Sequence, residues 1–181
     1  SEGMKMKTHE IDLCGHHLYL LLNGQALFDL YDKFGTKGFL TDPLKDKGKP
    51  GFEATCYFLS TLAEQGELLR RWQGHTRGPI LPELFFRVNL APRDVYRARD
   101  AIVETVRLGF AREEAEEHDI DLGLVELQKK NGVAVTRDYW LHLLTRRLSL
   151  SIREGMLLTP GQVIDLQELE ERRRGRYPEE V

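Results

Sequence analysis

The stretch GFEATCYFLSTLAEQGELLRRWQG, residues 51–74, decides the fold class. Its apolar and small residues recur at spacings of three and four positions: Phe52, Cys56, Leu59, Ala63, Gly66 and Leu69. That spacing puts them along one face of an α-helix. Gly74 stands where a helix stop belongs. The stretch therefore predicts a long amphipathic helix with one apolar stripe.

Helical patterns continue on both sides of this stretch. Gly35 marks the end of one helix, and Pro92 suits the first turn of another. Towards the C-terminus, Thr136 is a predicted helix cap. Ser151 with Glu154 and Thr159 with Gln162 fit two capping boxes, each opening a helix. Together with the central stretch, the predicted helices cover about residues 25–34, 82–88, 92–111, 122–130, 136–148, 151–157 and 160–169.

A β-hairpin is predicted at the N-terminus. Residues 9–14 alternate polar and apolar side chains, as a half-buried strand does, and residues 17–22 form an apolar return strand. Gly15-His16 is the predicted turn. An isolated hairpin is marginal in water, so it must pack on another element. The predicted fold is mainly α, with this hairpin packed on a helical bundle and a C-terminal helical extension.

The composition changes after the predicted helix over residues 92–111. Residues 112–121 are rich in carboxylates and nearly empty of apolar side chains, as expected of a solvated linker. We therefore predict a hairpin and helical body over residues 4–113, an acidic linker over 114–121 and a C-terminal helical segment over 122–176. Met4 is the expected natural start of the chain.

The bulk composition limits the possible partners and the compartment. The 181 residues are 41% hydrophobic, enough for a core, and carry a formal net charge of −3. That charge gives no strong attraction to nucleic acid or anionic membrane. Two cysteines are too few for a disulfide framework, and we find no signal peptide and no apolar run long enough to span a bilayer. We expect a cytoplasmic protein with no membrane partner.

Nothing in the sequence predicts catalysis or a cofactor. The N-terminal cluster His9, Cys14, His16 and His17 lacks zinc-motif spacing, and surface histidines are the favoured interpretation. Glu64 and Glu67 lie one helical turn apart, but a di-metal bundle requires further Glu-x-x-His pairs, so a solvated helix face is expected. No nucleophile elbow, phosphate loop or dinucleotide fingerprint occurs. We predict a protein that is not an enzyme and that binds no metal or cofactor.

Two features leave a DNA-binding alternative open. Residues 136–157 have a helix–break–helix pattern, and Arg172-Arg173-Arg174-Gly175-Arg176 forms a basic tail that could contact phosphates. Helix pairs are common in all-α proteins, however, and Glu168, Glu170 and Glu171 offset the arginines. A helical DNA-binding regulator is therefore the alternative hypothesis for the function.

Several segments resemble the tail assembly chaperones of long-tailed bacteriophages, especially those of phages and prophages of Gram-positive bacteria. The similar segments are LYLLL (18–22), ALFDLY (26–31), KFG (33–35), FLSTLAEQGEL (58–68), AIVETVRLGF (101–110), residues 136–144 and LSIREGMLLTPGQVIDL (150–166). The last two look like the segment appended in the longer chaperone product.

The resemblance implies a non-enzymatic assembly chaperone of the bacterial host cytoplasm. Its partners would be the tape-measure protein and the tail-tube protein. The N-terminal body would self-associate or contact tape measure, and the C-terminal helices would engage tube protein. For this contact we predict the apolar face and basic end of the last helix: Val163, Leu166, Leu169, Arg172 and Arg173.

Overall fold

The computed structural model describes residues 7–113 and 135–175. The chain divides into two compact units, with the boundary between Gly109 and Phe110. The first unit holds strands β1 (His9–Leu13) and β2 (His16–Leu20) and helices α1 (Gly24–Phe34), α2 (Lys49–Trp72), α3 (Glu83–Asn89) and α4 (Val95–Phe110, whose last residue belongs to the second unit). The second holds α5 (Arg137–His142), a π-helical turn (Leu143–Arg147), α6 (Ile152–Leu157) and α7 (Pro160–Arg173).

The hairpin turns one residue earlier than predicted. β1 and β2 pair antiparallel, with Leu13 opposite His16, so the two turn residues are Cys14 and Gly15 rather than Gly15 and His16. Both turn residues have positive φ, 54° and 75°. A two-residue turn of this kind matches the twist of the strands, but cysteine rarely adopts positive φ. Because of that rarity, the sequence pattern predicted the turn one residue too late, at Gly15-His16.

Helix α2 covers the outer edge of β2. The Leu21 N–H donates to the Leu62 carbonyl at 3.1 Å. One turn later, a Cβ on Gly66 would lie 1.7 Å from the Tyr19 carbonyl oxygen, so only glycine allows the helix and the strand to approach this closely. The apolar face of the hairpin and the stripe of α2 are buried here, with Leu20, Leu59 and Leu62 wholly inaccessible.

A buried polar pair joins the start of α1 to α2. The Asn23 side-chain oxygen accepts from the Ala26 N–H at 2.9 Å and caps α1. Its amide nitrogen donates to the Gln65 side-chain oxygen at 2.8 Å. Both side chains are buried, so each satisfies a group that would otherwise be costly to desolvate.

The expectation of a solvated Glu64–Glu67 face is wrong for Glu67. Glu64 is exposed, but Glu67 is buried. The Glu67 carboxylate accepts from Arg70 at 2.7 Å, from Arg71 at 3.2 Å and from the Gly78 N–H at 2.5 Å. Arg71 also donates to the Gly78 carbonyl at 2.8 Å. The cluster fastens the loop after α2 back onto the helix.

The second unit begins its helices at the predicted caps. The Thr136, Ser151 and Thr159 side chains accept from the Tyr139, Glu154 and Gln162 N–H groups respectively. Thr159 and Gln162 form the complete, reciprocal capping box, with Pro160 in the first turn. The predicted helix over 136–148 is α-helical only to His142, because the next turn widens so that the Leu148 N–H bonds the Leu143 carbonyl at 3.1 Å.

The predicted fold class is confirmed. The described chain is mainly α-helical, and its two-stranded N-terminal hairpin packs on helix α2. The long helix starts at Lys49 rather than Gly51, with Pro50 in its first turn. The predicted acidic linker over 114–121 and the helix over 122–130 lie outside the described residues.

Candidate protein-binding surfaces

An open groove of about 550 Å³ lies between strand β1 and helix α4. The strand contributes His9, Glu10, Ile11 and Asp12, and the helix contributes Arg97, Asp100, Ala101 and Glu104. Four of these side chains are carboxylates and one is a guanidinium, so the groove is predominantly acidic. Sequence reasoning missed it, although the alternation of Glu10 and Asp12 along the strand was visible.

The backbone of β1 opens onto this groove. The two-residue turn makes Leu13–His16 a hydrogen-bonded pair, and in an antiparallel ladder the backbone groups of alternate residues then point away from the partner strand. In β1 the outward residues are Glu10 and Asp12. Arg97 donates to the Asp12 carbonyl at 2.7 Å, which fits this orientation. One sheet edge thus faces α2, and the other faces the groove.

His17 bridges the two carboxylates of β1. Its Nδ1 lies 2.6 Å from Asp12 and its Nε2 lies 2.9 Å from Glu10. The hydrogen bond with Glu10, followed by that with Asp12, raises the pKa of His17 above its ordinary 6.5. The protonated ring partly neutralises the acidic face of the hairpin, and this neutralisation ends as the pH rises through the His17 pKa.

We expect the proton NMR titration of His17 to show a midpoint above 6.5. Because the folded pKa is raised, the contribution of the bridge to stability is complete below the unfolded pKa and is lost as pH rises through the folded one. The double variant Glu10→Gln/Asp12→Asn should return the midpoint to its ordinary range. A wild-type midpoint at or below that range would contradict the bridged geometry.

Helix α3 carries an exposed apolar pair. Leu84 and Val88 are 67% and 73% exposed and lie one turn apart, so they share a face. On the same helix Phe86 is buried, which anchors the helix to the body. Glu83 and Arg87 pair at 2.7 Å and are also one turn apart. The four-residue spacing of Leu84 and Val88 is the sequence signal that could have identified this surface.

The predicted partner-contact residues differ in exposure along α7. Val163 is fully buried, Leu166 is half-buried and Leu169 is 52% exposed. Arg172 and Arg173 are exposed, and Arg173 binds Glu170 at 2.7 Å. The portion of the predicted face that a partner could reach without rearrangement is therefore its C-terminal half, from Leu169 onward.

Arg112 pairs with two carboxylates of α7 that lie just before Leu169. Its guanidinium donates to Asp165 at 2.6 Å and to Glu168. Burial lowers the pKa of Arg112, but the bonds to these two carboxylates outweigh it and leave the pKa above its ordinary value. A small recess of about 50 Å³ beside this cluster includes Leu169 and Arg172 in its lining.

The candidate metal ligands do not form a site in the described residues. His16 lies opposite Leu13 on the core-facing side of the hairpin, whereas His17 lies opposite Asp12 on the other side. Across residues 7–113 and 135–175, no three histidine, cysteine or carboxylate side chains are placed to hold a metal ion. Cys56 is fully buried in α2, where burial raises its pKa to about 11.

Of the two features that left DNA binding open, the structure describes residues 136–157 and the basic tail as far as Gly175, while Arg176 lies outside the described residues. α5 and α6 are only six residues each and are separated by the π-helical turn. Gly155 of α6 packs closely against Leu144, so this part of α6 faces inward. Among the arginines of the tail, Arg173 and Arg174 both bond Glu170, which lowers the pKa of that carboxyl to about 2.

None of the helices within the described ranges combines the length and the apolar character needed to cross a bilayer.

Comparisons of this chain with protein-family models, with curated proteins and with solved structures found no match.

Proposed function

We propose that the protein is a non-enzymatic assembly chaperone for the tail of a phage or prophage, and that it binds tape-measure protein, tail-tube protein or both through apolar helix faces. Support comes from the resemblance of the segments quoted above to tail assembly chaperones. The structural observation that carries the proposal is the exposed Leu84–Val88 pair on α3.

Helix α3 is anchored on one face and exposes this pair on the other. Phe86 and Leu90 are buried and fix the helix on the body, while Leu84 and Val88 stay outside. Ile80, just before the helix, is 40% exposed and extends the apolar character along the chain. Apolar residues one turn apart are the usual contact of a helix with a complementary helix or groove. In this proposal α3 contacts tape-measure protein.

Helix α7 provides the second contact. Leu169 is exposed and has Arg172 and Arg173 within the next turn, which gives an apolar centre with a basic end. Glu170 holds Arg173 and Arg174 in place, so the basic end is ordered before a partner arrives. In this proposal the surface contacts tail-tube protein, and Val163 supports it from within.

Capture of the two tail proteins by variants of each surface tests the proposal. The full chain is co-expressed with the products of the neighbouring genes and purified by affinity, and the captured proteins are identified by mass. The double variant Leu84→Asp/Val88→Asp should reduce capture of tape-measure protein by about tenfold or more, because a partner would have to desolvate two carboxylates. Leu169→Asp should do the same for tube protein.

Val103→Asp is the matched control. Val103 is an exposed apolar residue of α4, 48% accessible, outside both proposed surfaces. It should leave both captures unchanged. Wild-type protein that captures neither tail protein would overturn the proposed function. Capture that is equally weakened by all three variants would overturn the two assigned surfaces.

The second candidate is a DNA-binding regulator using residues 136–157 and the arginine tail. It is favoured by the exposure of Arg172, Arg173 and Arg174. The bonds from Arg173 and Arg174 to Glu170 weaken it, because phosphate would have to compete with that carboxylate. Retardation of duplex DNA that declines steeply with salt, in a preparation that captures no tail protein, would select this candidate.

A further inference from the structure

We propose that the groove between β1 and α4 binds an extended peptide segment of a partner protein, with lysine or arginine at alternate positions, which adds as a third strand to the edge of β1. This binding site does not depend on the proposed chaperone function, and it shares no residue with the α3 and α7 surfaces assigned to the tail proteins.

The backbone of β1 offers the hydrogen bonds that such a strand needs. Glu10 and Asp12 point their N–H and C=O groups away from β2. Arg97 occupies the Asp12 carbonyl, whereas no other described residue bonds the two Glu10 groups or the Asp12 N–H. Within the described part of the chain, three backbone groups therefore remain for an incoming strand. Addition to an open sheet edge is a general mode of peptide binding.

The side chains of the groove select for positive charge. On the helix wall, Asp100 and Glu104 lie one turn apart, with the small Ala101 between them. Asp100 has no ion-pair partner within the described chain, whereas Glu104 binds Arg107 at 2.6 Å. On the strand wall, His17 is the one ion-pair partner that the described residues provide for Glu10 and Asp12. A strand with basic residues at every second position would place them all on one face, beside these carboxylates.

The same charges argue against other occupants. A second copy paired antiparallel through β1 would bring Glu10 opposite Glu10 or Asp12 of that copy, and like charges directly opposite each other destabilise a sheet. The phosphates of a nucleic acid would meet four carboxylates. A basic segment from another protein is the occupant whose charge complements the groove.

Fluorescence anisotropy with labelled synthetic peptides tests the proposal. The probe alternates lysine and valine over about eight residues, within ordinary strand length. We expect the full chain to bind it at least about tenfold tighter than the matched peptide alternating glutamate and valine. A lysine–valine peptide methylated on the backbone nitrogens of alternate residues keeps the charge but loses the hydrogen bonds, so it should also bind about tenfold more weakly.

Protein variants separate the backbone contribution from the charge. Asp100→Asn should weaken binding several-fold. Glu10→Thr removes a carboxylate but keeps the N–H, whereas Glu10→Pro also removes that N–H, which points away from β2 and so is dispensable to the hairpin. Binding should fall further in the proline variant than in the threonine variant. Circular dichroism checks that both are folded, and the methylated peptide tests the same bond without altering the protein.

Hydrogen exchange measured by NMR distinguishes strand addition from other modes of peptide binding. Peptide binding should slow exchange of the Glu10 and Asp12 amides, while the Ile11 amide, already directed to β2, should change little. Binding without this protection, or binding of the methylated peptide as tight as that of the parent, would overturn strand addition. Absence of binding, or a dimer formed through β1, would overturn the peptide site. None of these results bears on the capture of tail proteins through α3 and α7.

Discussion

Replacing Gly66 with alanine is expected to destabilise the N-terminal unit by about 3 kcal/mol, in the upper range for overpacked sites. The new Cβ would lie 1.7 Å from the Tyr19 carbonyl oxygen and 2.5 Å from its carbon, so α2 and β2 would have to separate. Helix propensity acts in the opposite direction, because alanine in a helix interior is favoured over glycine by about 1 kcal/mol. Chemical denaturation measures the net effect.

Gly74→Ala is the matched control for this change. Gly74 follows the same helix, has a φ of 87°, and has no heavy atom within 4 Å of an added Cβ. Its substitution therefore reports only the cost of positive φ, about 1 kcal/mol. If Gly66→Ala were as stable as wild type, the close approach of helix and strand would be wrong.

Replacing Glu67 with alanine should cost about 3 kcal/mol, the usual penalty for removing one member of a buried ion pair. The loss would leave Arg70 and Arg71 half-buried without their carboxylate and would release the Gly78 N–H. Glu64→Ala, one turn earlier on the same helix but exposed, should change stability by less than about 0.5 kcal/mol. Equal effects of the two variants would contradict the cluster.

The effect of the Glu67 variant should also depend on pH. Burial raises the pKa of Glu67, but the bonds from Gly78, Arg70 and Arg71 outweigh it and hold the pKa below the ordinary 4.5. The carboxylate therefore stabilises the fold fully above that ordinary value, and the contribution is lost as pH falls through the lower folded pKa. Wild type and Glu67→Ala should converge in stability under acidic conditions.

The fold was predictable from the sequence where a local residue sets a local structure. Thr136, Ser151 and Thr159 were recognisable as caps, because the side chain of a cap bonds a backbone group only three residues away. The burial of Glu67 was not predictable, because it depends on Gly78, eleven residues away across a loop. The same applies to the widened turn at Leu143, which no local pattern signals.

The candidate surfaces were only partly accessible to sequence reasoning. The stripe of α7 was identified, but spacing alone does not separate the buried Val163 from the exposed Leu169, because both lie on the apolar face of one helix. The β1 groove depends on Asp100 and Glu104 lying beside Glu10, about ninety residues away in the chain. Such a juxtaposition is a property of the tertiary fold.

The unusual turn of the hairpin has a practical use. Its first residue, Cys14, is half-exposed, whereas Cys56, the other cysteine of the chain, is fully buried. Burial, followed by the nearby Asp94, raises the pKa of the Cys14 thiol, so mildly alkaline conditions favour its reaction. A maleimide dye would therefore attach to the apex of the hairpin in the unaltered protein, and its fluorescence would report on events near the N-terminal strands without an engineered thiol.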